Sequence, residues 1–257
     1  MAAWTWIFAQ NILQAIIASY PTVFESGTVI YENIGPSGTP DTVSGATVNP
    51  YQNFDDYATM LAGPINSAAK GLMYDNESWT NTPTDEQQSP EAYMRLYAQH
   101  AQSLGLFMIH APGNDLATKN GANHGVELPY VYLEFGRIMA ESLQQVTTSA
   151  IPSIAHVQAQ SQLPGYSSIT TMEQFGAMIS TVKSQMLPKL PAQHLMSAGI
   201  TLNTTVTTAP PLISAVQMMR DYGYPCCWFN VPGSTFTSTQ LGICQQVIQA
   251  AQAVNTN

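Results

Sequence analysis

From residue 70 onwards, the chain repeats one pattern of apolar and polar positions five times. Each repeat has a short apolar run, then a polar loop, then a segment with apolar residues at helical spacing. The apolar runs cover residues 71–77, 106–111, 154–160, 195–203 and 226–231, and the helical segments cover about 90–104, 132–146, 170–186, 210–222 and 238–251. Because no hairpin signal separates the runs, this alternation predicts parallel strands with helices outside them.

The pattern is weaker before the first of these runs. Residues 28–32 form an apolar run that predicts a strand, and residues 35–50 are rich in Gly, Pro and Thr, which predicts a long loop. Residues 11–20 and 56–69 have helical spacing, whereas residues 3–8 fit either a strand or the start of the first helix. The sequence therefore predicts six strands and one ambiguous strand.

Two architectures fit this order of elements, a TIM-type (β/α) barrel and an open, doubly wound parallel sheet. The barrel is favoured because each predicted strand ends in polar or aromatic residues, and the active sites of such barrels lie at the carboxyl ends of the strands. We therefore predict a single (β/α) barrel domain over residues 1–257. Its N-terminal part is expected to be incomplete or irregular, because too few strands are predicted there.

The composition limits the partners of such a domain. Hydrophobic residues make up 45% of the chain, which is enough for a large core, but charged residues make up only 9%, against roughly 25% in an average soluble domain. The net charge is −9 with only 7 Lys and Arg residues, so little positive charge is available to neutralise phosphates. We expect a neutral or cationic small molecule as ligand, and neither nucleic acid nor a membrane surface as partner.

The N-terminal region does not resemble a targeting segment. Residues 4–20 are fairly apolar but have no basic start and no small-residue cleavage site, so we do not predict a signal peptide there. No stretch reaches the ~20 apolar residues that a membrane-spanning helix needs. Glycosylation sequons at Asn76 and Asn203, with a surface rich in Thr, Asn and Gln, nevertheless favour a secreted protein.

Several kinds of chemistry lack their sequence signals. Cys226, Cys227 and Cys244 are too few for a disulfide framework, and either one bridge to Cys244 or three buried free thiols fits them. No Cys/His spacing resembles a zinc site, and no Gly-rich phosphate loop, Schiff-base lysine or Gly-x-Ser-x-Gly turn follows a strand. The sequence therefore predicts neither a metal nor a cofactor.

Polar and aromatic side chains stand instead at or just beyond the ends of the predicted strands. The acidic members are Glu32, Asp75 and Glu77, and the expected substrate-binding members are His110, Gln158, Gln160, Asn203, Trp228, Asn230 and Trp79. If the sheet closes, we expect these side chains to converge on one opening. Carboxylates, amides and aromatic faces are suited to binding sugars, because amides bond hydroxyl groups and aromatic faces cover the apolar faces of the ring.

The stretch that ends the strand at 71–77 carries the proposed catalytic acid. Side chains alternate along a strand, so Met73, Asp75 and Glu77 are expected on one face. Glycoside hydrolysis needs a carboxylic acid that stays protonated, and the like charge of Asp75 would raise the pKa of Glu77. Glu77 is therefore the predicted acid, and Glu32 becomes a second catalytic carboxylate if it faces the opening.

The motif Asp75-x-Glu77 resembles the last part of the Asp-x-x-Asp-x-Asp-x-Glu signature of chitinase-like glycoside hydrolases of family 18. The two earlier Asp positions hold Lys70 and Met73 here. The resemblance implies that Glu77 is the acid at the end of the fourth barrel strand and that Asp75 orients an acetamido group. It also implies polar substrate contacts from residues 154–160, and an indole beneath the sugar, which Trp228 would supply.

Three functions remain open from sequence. The favoured one is a glycoside hydrolase-like enzyme acting on a neutral oligosaccharide or polysaccharide. The alternatives are a carbohydrate-binding barrel without catalysis, and a lyase or cyclase of a neutral small molecule that uses Asp75, Glu77 and His110 for proton transfer. Each residue also has a structural explanation: the acids would bond loop backbone, and Trp228 would be part of the core.

Overall fold

The computed structural model describes residues 4–113, 116, 149–157, 172–186, 193–203 and 206–253. In this part of the chain, eight parallel strands form a closed barrel. The strands pair in sequence order and β8 pairs with β1. They are β1 Thr5–Ala9, β2 Thr28–Asn33, β3 Ala46–Phe54, β4 Gly71–Tyr74, β5 Phe107–His110, β6 Ile154–Val157, β7 Leu195–Thr201 and β8 Cys226–Asn230. The described helices, numbered in chain order, are α1 Gln10–Ser19, α2 Tyr57–Ala62, α3 Thr84–Gln88, α4 Pro90–Ser103, α5 Met172–Met186, α6 Ala209–Asp221 and α7 Ser238–Ala253.

The predicted TIM-type barrel is thus confirmed, but the expected irregularity at its N-terminal end is wrong. The ambiguous segment at 3–8 overlaps the strand β1, Thr5–Ala9, and β3 begins at Ala46, inside the predicted loop at 35–50. The proline in β3 misled the prediction. Pro50 faces β4, where its carbonyl oxygen accepts the backbone N–H of Lys70 at 2.8 Å. The Pro50 nitrogen lies opposite the chain before Gly71, the first residue of β4. The missing N–H of Pro50 therefore removes no hydrogen bond between β3 and β4.

The barrel interior is filled by large side chains. Inward-facing residues include Ile7, Tyr31, Tyr51, Met73, Phe107, Ile109, Ile154 and Cys226. The Tyr31 hydroxyl crosses the barrel and donates to the carbonyl oxygen of Pro152 at 2.8 Å, and its ring meets that of Phe107 edge-on at 5.1 Å. The Phe107 ring lies against Gly71, where an added Cβ would come within 2.3 Å of it. The lower part of the barrel is therefore closed.

Alternate strand residues point outward and pack against the helices. Local signals fix where those helices begin and end. The Asp56 carboxylate accepts the N–H of Thr59 at 2.7 Å at the start of α2. Gly63 and Pro64 follow that helix directly, so it is shorter than the predicted 56–69. At the start of α7, Thr237 and Gln240 exchange side-chain to backbone hydrogen bonds as a capping box.

All three cysteines are free and buried, which confirms the second of the two predicted states. Asn76 is also fully buried, so a glycan on this residue does not fit the folded protein, and the first sequon gives no support for secretion. Among the described helices, none combines the length and the apolar character required to cross a bilayer. The helix predicted over 132–146 lies outside the described residues.

Candidate functional site

The carboxyl end of β4 places Asp75 at the opening of the barrel. Backbone hydrogen bonds between neighbouring chain segments continue beyond the end of β4. The N–H of Asp75 donates to the carbonyl oxygen of Phe54 at 2.9 Å, and the N–H of Gly113 donates to the carbonyl oxygen of Asn76 at 2.8 Å. Met73 faces the interior, so alternation directs Asp75 inward at the rim. Asp75 and Glu77 are both partly exposed. We use the term mouth for this opening at the carboxyl ends of the strands.

The loop after β4 is held by the hydroxyl of Thr82. This Oγ1 accepts hydrogen bonds from the backbone N–H of Glu77 at 3.1 Å and from the indole N–H of Trp79 at 3.0 Å, and it donates to the carbonyl oxygen of Asp55 at 2.8 Å. Thr82 is only 2% exposed, whereas Trp79 is 39% exposed. The amide of Gln87 donates to the carbonyl oxygen of Trp79 at 2.6 Å. The backbone around Glu77 is therefore fixed against the end of β3.

The end of β3 supplies an acid that the sequence interpretation missed. Asp55 follows the strand and is partly buried, and its carboxylate accepts hydrogen bonds from the side-chain amides of Asn53 at 3.3 Å and Asn81 at 3.2 Å. Burial raises the pKa of Asp55, and the neighbouring charge of Asp56 adds to this effect, while the two amide bonds oppose it. The signal was the acidic pair Asp55 and Asp56, but it follows a strand whose start had been predicted as a loop.

A cavity of about 640 Å³ lies beside Asp55. It is bounded by the ends of β2 and β3, the loop after β2 and the start of α2, and Asn33, Asn53 and Asn81 contribute amides to its wall. Asn33 and Asn53 follow the inward-facing Tyr31 and Tyr51 by two residues, so alternation directs them inward at the mouth. No Lys or Arg lines this cavity.

The opposite side of the mouth carries the aromatic residue expected there. Trp228 faces the interior, is partly exposed, and its ring lies 4.8 Å from that of His156. His156 is fully buried and shares a hydrogen bond with the hydroxyl of Ser197. Asn230 is the last residue of β8 and partly exposed. The side chain of Asn203 accepts the N–H of Val206 at 2.7 Å in a local turn. Gln158 and Gln160 lie outside the described residues.

Two of the expected site residues point away from the mouth. Glu32 is fully buried on the same face of β2 as the outward Ile30, and its carboxylate accepts the N–H of Asp41 at 3.0 Å. His110 shares the outward face of β5 with Met108, and its ring lies 6.0 Å from that of Tyr97 on α4. The expectation that these two residues join the others at the mouth is therefore corrected.

The burial of these two side chains shifts their pKa values in opposite directions. Burial raises the pKa of Glu32 to about 7, and the nearby carboxyl group of Asp41 contributes to the rise. Burial lowers the pKa of His110 to about 3, so the imidazole is neutral at physiological pH. Neither ring nitrogen of His110 has a hydrogen-bond partner among the described residues.

Other chemistry finds little support in the described part of the chain. None of its His, Cys, Asp and Glu side chains form a group of three or more that is arranged to hold a metal ion. A larger groove of about 800 Å³ is lined by residues of α6 and α7 and by Tyr222, and no strand residue contributes to it. The mouth therefore remains the candidate site.

Comparisons with known proteins show the fold but not a family. No protein-family model matches the sequence, and no curated protein matches it. The C-terminal domain of a candidate chitinase from Desulfitobacterium hafniense DCB-2 is similar in structure, with a TM-score of 0.52, 11% identity, and coverage of 97% of this chain and 99% of that chain.

Two further solved structures are similar over 98% of this chain. A Schiff base forming fructose-1,6-bisphosphate aldolase has a TM-score of 0.47 at 10% identity, with 93% of its chain covered. A truncated 3-deoxy-D-arabino-heptulosonate 7-phosphate synthase from Thermotoga maritima has a TM-score of 0.46 at 8% identity, with 87% covered. At these identities and TM-scores the two likenesses carry no argument, and the closed eight-stranded barrel rests on the strand pairing itself.

Proposed function

We propose that the protein is a glycoside hydrolase-like enzyme that acts on a neutral oligosaccharide or polysaccharide, with Glu77 as its general acid. The observation that carries the proposal is the position of Asp75 and Glu77 at the carboxyl end of the fourth barrel strand, beside a mouth rich in amides. The cavity beside Asp55 has no Lys or Arg in its wall, which favours an uncharged substrate over a phosphorylated one.

The chemistry assigns one task to each carboxyl group. Glu77 donates its proton to the glycosidic oxygen as the bond from that oxygen to the anomeric carbon breaks, and water then adds to the anomeric carbon and gives one proton to the Glu77 carboxylate, which restores the acid. The Asp75 carboxylate stabilises the positive charge that develops on the sugar ring. Trp228 and Trp79, which are both partly exposed, offer aromatic faces for the apolar side of a sugar.

The resemblance of Asp75-x-Glu77 to the family 18 signature supports the same assignment. The signature's acid ends the fourth barrel strand and four strands follow it, and here β4 is also followed by four strands. The name of the fold neighbour from Desulfitobacterium hafniense, a candidate chitinase, agrees with the proposed substrate class. The lyase or cyclase alternative loses support, because it relied on His110, which faces the helices.

The test is the substitution Glu77→Gln, which keeps the size of the side chain but removes its acidic proton. Each protein is incubated with neutral β-1,4-linked hexasaccharides of glucose and of N-acetylglucosamine, and products are identified by mass spectrometry. We expect the variant to cleave about 100-fold to 10,000-fold more slowly, which is the usual contribution of general acid catalysis, while binding by NMR titration is retained.

A matched control is Glu91→Gln, because Glu91 lies on the helix α4 and not at a strand end, and its carboxylate forms an ion pair with Arg95 of the same helix at 2.8 Å. This variant should cleave like the unaltered protein. Undiminished cleavage by Glu77→Gln would overturn the assignment of the acid. Binding of a hexasaccharide by the unaltered protein without any cleavage would instead identify a carbohydrate-binding barrel that lacks catalysis.

A further inference from the structure

The cavity beside Asp55 is distinct from the residues assigned to bond cleavage. Its wall comes from the ends of β2 and β3 and the start of α2, whereas Asp75 and Glu77 lie at the end of β4 and do not line it. Its volume of about 640 Å³ falls within the range of roughly 300–1,000 Å³ typical of small-molecule sites. The cavity is therefore large enough to bind a small molecule at a position that is separate from Asp75 and Glu77.

The Asp55 carboxylate in the wall of this cavity has unused capacity to accept hydrogen bonds. Each oxygen of the Asp55 carboxylate receives one long bond from an amide, at 3.3 Å from Asn53 and 3.2 Å from Asn81, although a carboxylate oxygen can accept two. A ligand that brings hydroxyl donors therefore gains hydrogen bonds to a charged acceptor.

The remaining wall suits a ring with apolar faces. Phe54, Pro36, Pro64 and Ile34 line the cavity together with these amides. A sugar unit matches both parts, because its hydroxyl groups donate hydrogen bonds while its C–H faces pack against apolar side chains. The lining has no cation to hold a phosphate or a carboxylate, which disfavours anionic ligands.

The cavity is also joined to the proposed acid. Thr82 bonds the carbonyl oxygen of Asp55 on one side and the backbone N–H of Glu77 on the other. One side chain therefore links the two positions, so a sugar unit in the cavity and a scissile bond at Glu77 can belong to the same oligosaccharide.

We propose that this cavity is a subsite for a neutral sugar unit of the substrate, in which the Asp55 carboxylate accepts hydrogen bonds from its hydroxyl groups. The proposal deepens the proposed function and rests on its substrate class. Asp55 is a binding residue in this scheme, and it takes no part in proton transfer.

The experiment measures binding in the Glu77→Gln background, so that its result does not depend on catalysis. The protein is labelled with ¹⁵N and titrated with the neutral hexasaccharides of glucose and of N-acetylglucosamine. We expect the side-chain amide signals of Asn53 and Asn81 to shift on binding. We further expect Asp55→Asn to weaken binding by about 10-fold or more, because a hydrogen bond to a charged group contributes roughly 1.5–3 kcal/mol.

The matched control is Asp221→Asn, an exposed position on α6 whose carboxylate accepts a hydrogen bond on the helix surface from the Gln217 amide at 2.8 Å. It should bind like the parent, and thermal melting of each variant confirms that it is folded. A second variant, Thr59→Tyr, places a large side chain at the edge of the cavity and should weaken binding without removing Asp55.

The outcomes separate the two proposals. If a hexasaccharide binds but the Asn53 and Asn81 signals stay unchanged and Asp55→Asn binds equally well, the subsite is wrong and the proposed function stands. If neither neutral hexasaccharide binds, the substrate class fails and the subsite fails with it. If the cationic hexasaccharide of glucosamine shifts the Asn53 and Asn81 signals and the neutral ones do not, the neutral class is overturned.

Discussion

The Thr82 hydroxyl donates to the carbonyl oxygen of Asp55 at 2.8 Å, across a sequence separation of 27 residues. Because the same oxygen accepts the backbone N–H of Glu77 at 3.1 Å, the end of β3 and the loop after β4 are positioned against each other by one side chain. The position of the proposed acid therefore depends on a residue that does not contact the substrate in the proposed scheme.

Replacement of Thr82 should destabilise the protein if the new side chain lacks a hydroxyl group, and much less if it has one. Thr82→Val keeps the shape but removes the group that bonds Glu77, Trp79 and Asp55, so the free energy of unfolding should fall by about 1–3 kcal/mol. Thr82→Ser keeps the hydroxyl and should lose much less. Urea unfolding measures both values, and equal stabilities for the Val and Ser variants would contradict the role given to the hydroxyl.

Substitution by alanine should lower the free energy of unfolding at Gly71 and raise it at Gly242. At Gly71 a Cβ would lie 2.3 Å from the Phe107 ring in the closed interior, so Gly71→Ala should cost about 1–3 kcal/mol of unfolding free energy. At Gly242 on α7 a Cβ would meet no atom nearer than 3.7 Å, and alanine gains up to about 1 kcal/mol in a helix interior. Thermal unfolding of the two variants tests this, and a stable Gly71→Ala would show that Phe107 can move.

Glu32 should make the protein less stable as the pH rises. Its pKa is raised from 4.5 to about 7 in the folded state, so its stabilising contribution is complete below pH 4.5 and is lost as the pH rises to about 7. Relative to Glu32→Gln, the unaltered protein should lose about 3 kcal/mol of unfolding free energy across this interval. Urea unfolding of both proteins at a series of pH values gives the difference. If the unfolding free energies of the two proteins change with pH in parallel, Glu32 does not have the raised pKa.

His110 should make the protein less stable as the pH falls, and it serves as the control for the effect of Glu32. Its pKa is lowered from 6.5 to about 3 by burial, so its contribution is complete above pH 6.5 and is lost as the pH falls towards 3. The substitution His110→Phe should therefore flatten the acid side of the stability curve and leave the Glu32 effect unchanged. A loss of the Glu32 effect in this variant would mean that the two groups are coupled.

The order of strands was predictable because apolar runs and helical spacing survive in the sequence. The end of β4 was the clearest case, since an apolar strand stops at Asp75 and Glu77. The faces of β2 and β5 were not predictable. Parallel barrel strands are buried on both sides, so their sequences do not alternate between apolar and polar positions. Glu32 and His110 therefore gave no sign that they pack towards the helices.

β3 was missed for a different reason. Its residues Asn49, Gln52 and Asn53 are polar and Pro50 stands in its middle, and both features are typical of loops. In the fold, Gln52 accepts the backbone N–H of Asn66 at 2.9 Å, and that bond connects sequence positions 14 residues apart. Contacts of this kind have no local signature, and with β3 unrecognised, Asp55 could not be placed at a strand end.

The bond from Tyr31 to the carbonyl oxygen of Pro152 joins β2 to the entrance of β6 on the far wall. Together with the ring of Phe107 against Gly71 and Tyr31, it ties the first four strands to the last four through their centre. A gene divided between β4 and β5 would consequently yield fragments that each leave large aromatic surface uncovered, and neither fragment would serve as an autonomous half-barrel for recombination with other proteins.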